Sequence, residues 1–258
     1  MTTVATHTGF MFGRHVRNLL RQPVWIFIML IQPFFWLLLY SQLFRRITDL
    51  PGFGTTSYVE FLTPGIVVIT AFFNGTWNGM SMINDLDRGV IERFLATPAS
   101  RASLVLGHVA QSSLNAAVQA VIILGVGFLM GARIDAGPVG WLVIVASAML
   151  VAACFSGISN GIALFARREE TMIAVSNFLA LPLMFLSSTL IAFALMPEWM
   201  QWAARFNPVQ WGVDAAREMV RPTQDWSSVG LHALYLTAFV AVTSAFATWS
   251  FRAYRRTL

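Results

Sequence analysis

Two rows of hydrogen-bonding side chains repeat at helical spacing within stretches of the chain that are otherwise apolar. The first row is Asn74, Asn78, Ser81 and Asp85, and the second is His108, Gln111, Ser112, Asn115 and Gln119. Intervals of three and four residues place side chains on one face of a helix. Such rows either join neighbouring helices by hydrogen bonds or line a path through the protein, and both interpretations stay open. The candidates for a path are Asn74, Asn78, Ser81, Asn115 and Gln119.

The residue types that catalysis requires are sparse. All 17 basic residues are arginines, so the chain lacks the lysine that a Walker A loop places on the phosphates of ATP. The four histidines are far apart, and no H-E-x-x-H motif, G-x-S-x-G elbow or Asp-rich metal loop occurs. Cys154 is the single cysteine, which excludes a disulfide framework. The sequence therefore predicts no catalytic residue and no metal site in this chain.

The composition indicates a polytopic, all-α membrane protein. Hydrophobic residues make up 57% of the 258 residues, and charged residues make up 11%. Several continuous apolar runs reach the roughly 20 residues that a helix needs to cross the hydrocarbon layer, and they lack the alternation of barrel strands. Hydropathy predicts six transmembrane helices in a single domain covering residues 1–258, at about 24–44, 59–84, 104–130, 139–166, 173–196 and 229–250.

The distribution of arginine predicts the orientation of these spans. Six spans place both termini on one side of the membrane, and 11 of the 17 basic residues fall on that side. Short cytoplasmic loops collect positive charge, so we expect both termini to be cytoplasmic. The first span is longer than the apolar core of a signal peptide and no cleavage motif follows it, which argues against a secretory leader.

An amphipathic helix is predicted before the first span, in the stretch FGRHVRNLLRQ at residues 12–22. Its apolar face comprises Phe12, Val16, Leu19 and Leu20, and its basic face comprises Arg14, Arg17 and Arg21. A basic amphipathic helix of this kind lies on the inner leaflet of the membrane. It either anchors the chain alone or also contacts a cytoplasmic partner.

The stretch between the second and third predicted spans, DRGVIERFLATPASRASLVLGHV at residues 87–109, is too polar to lie in lipid. Its apolar face comprises Val90, Ile91, Phe94 and Leu95, on a helix of about two turns. Thr97-Pro98 ends this helix, because proline disfavours helical geometry in the residue before it. An apolar patch rimmed by charge suits docking of a cytoplasmic protein, and contact with the lipid surface is the alternative.

Two short helices are predicted between the fifth and sixth spans, within residues 196–222. Pro197 begins the first, and Asn207-Pro208 supplies an N-cap followed by a proline at the first helical position of the second. Trp199, Trp202 and Trp211 are typical of the aromatic belt at a membrane surface. We expect these helices to dip into the outer leaflet, and a hairpin on the membrane surface is the alternative.

Three stretches occur in the order of a known family. YVEFLTPGIVV lies in the second span, NDLDRGVIERFLATPASRASLVLGH lies in the loop, and SSTLIAFALMPEWMQWAARFNPVQWGVDAAR lies after the fifth span. Taken together, they make the chain resemble the type 2 ABC exporter permeases, especially the daunorubicin-resistance branch, along essentially its whole length. The chain departs from many relatives at Ser187-Ser188, where they have Ser-Gly, and at Val209-Gln210.

The resemblance implies an interface helix at the N-terminus, six spans, a coupling helix between spans two and three, and re-entrant outer helices before span six. The interface helix carries over to Phe12, Arg14, Val16, Arg17, Leu20 and Arg21. The coupling helix carries over to Gly89, Val90, Ile91, Glu92, Arg93, Phe94 and Leu95, and Pro98 and Arg101 belong to the segment that closes it. The outer re-entrant helices carry over to Pro197, Trp199, Trp202, Asn207 and Pro208.

The resemblance also implies partners and a function. Two copies of a separate ATPase subunit would bind ATP and Mg, and a second permease, identical or homologous, would complete the exporter. The expected function is export of a hydrophobic or amphipathic substrate, drug-like or lipid-like, across the plasma membrane of a prokaryote, with membrane lipids and no nucleic acid as further partners. Export of a glycolipid or polysaccharide, a non-transporting membrane scaffold and a membrane enzyme acting on lipids are the alternatives.

Overall fold

The computed structural model describes residues 23–49, 57–90 and 101–254, and every regular element in these ranges is helical. The predicted interface helix at residues 12–22 and residues 91–98 of the predicted coupling segment lie outside the described residues. The helices are α1 (Pro23–Leu43), α2 (Tyr58–Trp77), α3 (Gly79–Asp87), α4 (Arg101–Leu129), α5 (Gly137–Ala166), α6 (Glu169–Phe185), α7 (Glu198–Ala204), α8 (Pro208–Arg217) and α9 (Trp226–Tyr254).

Four stretches of the described chain are long and apolar enough to cross a membrane. They are Tyr58–Asp87, which combines α2 and α3, Leu104–Leu129 in α4, Gly137–Ala166 in α5, and Trp226–Phe251 in α9. These stretches coincide with four of the six predicted spans. The described apolar part of α1, Leu30–Leu43, is shorter.

The helix in the fifth predicted segment, 173–196, is shorter than hydropathy predicts. It ends at Phe185, and turns and a short 3-10 helix occupy the remainder of the segment. Asn207, the N-cap residue of α8, binds backbone groups on both sides of this end, because its side chain donates to the carbonyl oxygens of Leu183 and Leu186 at 2.7 and 2.8 Å. Hydropathy cannot detect such a termination, because residues 186–196 are nearly all apolar or small.

Helix α5 lies at the centre of the packing, in contact with α2, α4 and α9. Glycines permit this close approach. A Cβ atom at Gly75 would lie 2.5 Å from the carbonyl oxygen of Ala152, and one at Gly79 would also meet α5. Gly157 and Gly161 meet α9 in the same way. Both Gly-x-x-x-Gly pairs, Gly75 with Gly79 and Gly157 with Gly161, therefore pack helices of one chain against each other.

Candidate functional site

The two polar rows face one another across the contact between α2–α3 and α4. The Asn74 amide donates to the carbonyl oxygen of Ser112 at 3.0 Å. The Asn78 amide donates to the carbonyl oxygen of His108 at 3.3 Å and to the Ser156 hydroxyl of α5 at 2.8 Å. These two asparagines therefore join helices by hydrogen bonds, which is one of the two functions predicted for the rows.

The same rows line a cavity of about 540 Å³ between α1, α2, α3, α4 and α6, which we call the amide cavity. All five predicted path residues line it: Asn74, Asn78, Ser81, Asn115 and Gln119. Gln111 of the second row also lines it, whereas Asp85, His108 and Ser112 do not. Asn74 and Asn78 therefore join helices and border the cavity at once.

The cavity also contains residues that belong to neither polar row. Gln32 and Asn177 are exposed amides on α1 and α6, and Trp36, Phe73 and Trp77 contribute aromatic faces. The rings of Trp36 and Phe73 meet edge to face with their centroids 6.3 Å apart. Gln32 and Asn177 are single amides within apolar helices, so no periodic row distinguished them. This lining offers hydrogen bonds and ring contacts to a bound molecule.

The described part of the coupling segment lies where α3 ends. Helix α3 ends at Asp87, and Gly89 has a φ of 62°, a left-handed conformation that glycine adopts without strain. Shortly before the end of α3, the carboxylate of Asp85 lies 3.3 Å from the imidazole of His108 on α4. The two helices that flank the predicted coupling residues are thus in direct polar contact at the base of the segment.

Two short helices form between residues 196 and 222, as predicted. Pro197 precedes α7, and the Asn207 side chain accepts a hydrogen bond from the Val209 amide at 3.0 Å, with Pro208 at the first position of α8. Trp199 and Trp202 are exposed. The local helix starts are confirmed, and the position of these helices in the outer leaflet stays a prediction.

Helix α8 and its N-cap residue carry a polar row, which we call the α8 row, that binds the end of α6 and the chain after it. Its members are Asn207, Gln210, Asp214 and Arg217. Gln210 accepts from the Ser188 amide at 2.6 Å and donates to the Ser188 hydroxyl at 2.9 Å. The spacing of three, four and three residues is a helical signal that the sequence analysis missed, because Arg217 was counted there only as one of the loop arginines.

Arg217 is the most enclosed charge of the α8 row. Its guanidinium donates to the carbonyl oxygens of Ser188 at 2.7 Å and Thr189 at 3.0 Å and to the Ser188 hydroxyl at 2.9 Å. It also lies over the ring of Phe61, 3.6 Å from the centroid. These three hydrogen bonds, a fourth to the carbonyl oxygen of Phe61 at 3.4 Å and the cation–π contact hold the chain after α6 against α8 and α2.

Burial disfavours the charged forms of Asp214 and Arg217, the two ionisable residues of the α8 row. It lowers the pKa of the Arg217 guanidinium to about 9, although Asp214 favours the charged form. Burial likewise raises the pKa of Asp214, against the opposing effects of His232 and Arg217. Because a pKa of about 9 lies above neutrality, Arg217 remains a cation and a strong donor at pH 7.

A second cavity, of about 680 Å³, borders the α8 row and includes Arg205, Asp214, Arg221 and His232. The His232 imidazole lies 3.8 Å from the Asp214 carboxylate. Across the described residues, no group of three or more His, Cys, Asp or Glu side chains is arranged to hold a metal ion.

Comparison with known proteins gives one family. A family model described as ABC-2 type transporter matches residues 6–220. The daunorubicin resistance ABC transporter permease protein DrrB1 of Streptomyces coeruleorubidus is 29% identical over 238 residues, which is 90% of this chain and 80% of the relative. The inner membrane transport permease YadH of Escherichia coli is 23% identical over 176 residues, 67% of this chain and 65% of the relative.

Proposed function

We infer, from the premise that this chain belongs to the ABC-2 type transporter family, that it is the membrane subunit of an ATP-driven exporter. Permeases of this family are not themselves enzymes and generally work with an ATPase subunit. The proposed substrate is hydrophobic or amphipathic, drug-like or lipid-like, and moves outward across the plasma membrane of a prokaryote. The observation that carries this proposal is the amide cavity, which lies halfway along two candidate spans and unites all five predicted path residues.

The proposed architecture has six spans, with α1 and α6 added to the four candidate spans. At a rise of 1.5 Å per residue, α1 is about 32 Å long and α6 about 26 Å long. The shorter helix can cross by local thinning of the bilayer, at a modest cost. Exposed apolar side chains such as Phe35 and Phe178 support contact with lipid or with another membrane protein. Both termini are then cytoplasmic, with residues 12–22 on the inner leaflet.

The coupling segment is proposed to dock on the ATPase subunit. Two ATPase copies bind ATP and Mg, and Gly89 to Leu95, closed by Pro98 and Arg101, transmit their movement. The contact between Asp85 and His108 supports this proposal, because it links the two helices at either side of the segment. A displacement of the segment therefore acts on α3 and α4, which both line the amide cavity.

The α8 row is proposed to hold the C-terminal end of α6 in place on the outer side of the membrane. Arg217 and Gln210 bind the backbone around Ser188, so α8 and the end of α6 move together. We propose that the segment containing Pro197, Trp199, Trp202, Asn207 and Pro208 re-enters the outer leaflet. It would then border the exit of a path that begins at the amide cavity. Two permeases, identical or homologous, complete the exporter.

Co-purification tests the proposal. The permease is expressed with its neighbouring genes, solubilised in detergent and recovered through a tag on the permease alone. We expect a P-loop subunit in equal amounts, with ATP hydrolysis that disappears when the Walker A lysine of that subunit is replaced. Recovery of the permease alone, from cells that contain the candidate ATPase in the membrane fraction, would contradict the proposal.

A further inference from the structure

The amide cavity is polar but carries no charge. Its polar lining consists of the amides of asparagine and glutamine and the hydroxyls of Thr70 and Ser81. Within the described part of the chain, no Arg, Asp, Glu or His side chain lines it. Asp85 and His108 are the charged or titratable residues of the two polar rows, and both lie outside the lining.

The amide side chains that line the cavity differ in their exposure. Asn74, Gln111 and Asn115 are half-buried along its wall, and Gln32 and Asn177 are exposed on the helices that border it. An amide group offers both donors and an acceptor, so it complements hydroxyl and amide groups equally well. Polar side chains within membrane helices are costly and usually face protein, water or a ligand. The cavity thus supplies hydrogen bonds of both kinds at mid-membrane depth.

Aromatic rings supply the remaining contacts. Trp36, Phe73 and Trp77 lie in the same lining as the amides. A cation would gain from facing these rings, but the loss of its hydration costs more than a cation–π contact returns when no carboxylate is present. An anion meets no arginine in the lining and is still less favoured. An uncharged ligand makes the same ring contacts and hydrogen bonds and does not have to bury a charge without a partner.

We propose that the amide cavity selects uncharged ligands that combine a flat ring with hydroxyl or amide groups, and that it discriminates against cationic and anionic counterparts of the same size. This inference rests on the proposed function in one respect, since it takes the ligand of the cavity to be the transported substrate.

Three dansyl sulfonamides that differ only in the end of a short side arm provide the test. The arm ends in a hydroxyl in the ethanolamine derivative, an ammonium in the ethylenediamine derivative and a carboxylate in the glycine derivative. Each probe is titrated at pH 7 against the full-length permease in lipid nanodiscs, by fluorescence anisotropy, with empty nanodiscs as the blank. We expect the hydroxyl probe to bind at least about tenfold more tightly than either charged probe.

Two substitutions move the preference in a defined direction. Asn115→Asp places a carboxylate in the wall of the cavity, and Gln32→Glu places one at an exposed position of the lining on α1. Either variant should bind the ammonium probe better than the hydroxyl probe. Asn84→Asp is the matched control, because Asn84 is exposed on α3 and does not line the cavity. It should keep the preference of the unaltered chain.

The inference is overturned if the unaltered chain binds the ammonium or carboxylate probe as tightly as the hydroxyl probe, or if the hydroxyl probe does not bind. It is also overturned if Gln32→Glu and Asn84→Asp shift the preference equally. The titration requires neither ATP nor the ATPase. A neutral preference without ATP-driven transport would therefore refute the proposed function alone, and transport with a preference for the ammonium probe would refute the selectivity alone.

Discussion

Arg217→Met removes the cation that holds the end of α6 to α8, and we expect it to destabilise the permease strongly. Three hydrogen bonds of 3.0 Å or less are lost, two to backbone carbonyl oxygens and one to the Ser188 hydroxyl. The methionine can still pack against Phe61, over which the guanidinium lies at 3.6 Å, but it donates nothing. The acceptors around Ser188 and Thr189 lose these donors in a buried setting.

The magnitude follows from these contacts. A hydrogen bond to a charged group contributes about 1.5–3 kcal/mol in a soluble protein, and about 0.6 kcal/mol is the average between membrane helices. Three such bonds, partly replaced by water from the neighbouring cavity, correspond to about 3 kcal/mol of unfolding free energy. For a chain of this length about 1 kcal/mol shifts the melting temperature by about 2–4 °C, so we expect a decrease of about 6–12 °C.

The assay is thermal unfolding of the detergent-solubilised permease, followed by the loss of its monodisperse gel-filtration peak. Arg205→Met is the matched control, because Arg205 is exposed, lies between α7 and α8 and carries the same charge. Its melting temperature should stay within about 2 °C of the unaltered chain, as for most surface substitutions. Equal losses in the two variants, or none in Arg217→Met, would refute the assigned function of the α8 row.

Three further experiments test the packing, the polar rows and the coupling segment. Gly79→Ala should cost about 1–3 kcal/mol of stability by overpacking against α5, whereas Gly125→Ala, with nothing within 4 Å of the new Cβ, should cost none; equal melting temperatures would contradict the packing. Asn78→Leu should reduce transport per folded molecule more than it reduces stability, since the loss of two hydrogen bonds costs about 1 kcal/mol; a matched loss of folded protein would leave Asn78 as a purely structural residue. Phe94→Asp or Glu92→Arg should release the ATPase or uncouple its ATP hydrolysis from transport while the permease stays folded, and unchanged coupling in both variants would exclude the coupling helix.

Helical periodicity was sufficient to predict most of the amide side chains in the wall of the amide cavity. Asn74 and Asn78 recur at four residues and Asn115 and Gln119 do the same, so each pair had to share a helix face. That the two faces meet around one cavity depends on the packing of α2 against α4, which periodicity within one helix does not contain. Gln32 belongs to no row, and only the packing of α1 places it beside the others.

The chain between α6 and α9 shows what hydropathy leaves out. The start of α8, with Asn207 as the N-cap and Pro208 after it, could be predicted because capping depends only on neighbouring residues in the sequence. The end of α6 at Phe185 was not, since it depends on partners such as Arg217 from a helix more than twenty residues later. Hydropathy and the positive-inside rule counted Arg217 as a loop charge, although its side chain is buried.

Transport into inside-out membrane vesicles tests the central proposal most directly. Vesicles are prepared from cells that express the permease with its ATPase, and the three dansyl probes are added outside together with ATP or with a non-hydrolysable analogue. The proposal predicts accumulation of at least one probe inside the vesicles that requires ATP hydrolysis and is absent when either subunit is omitted. Accumulation that is independent of ATP, or that occurs only in right-side-out vesicles, would contradict an ATP-driven exporter.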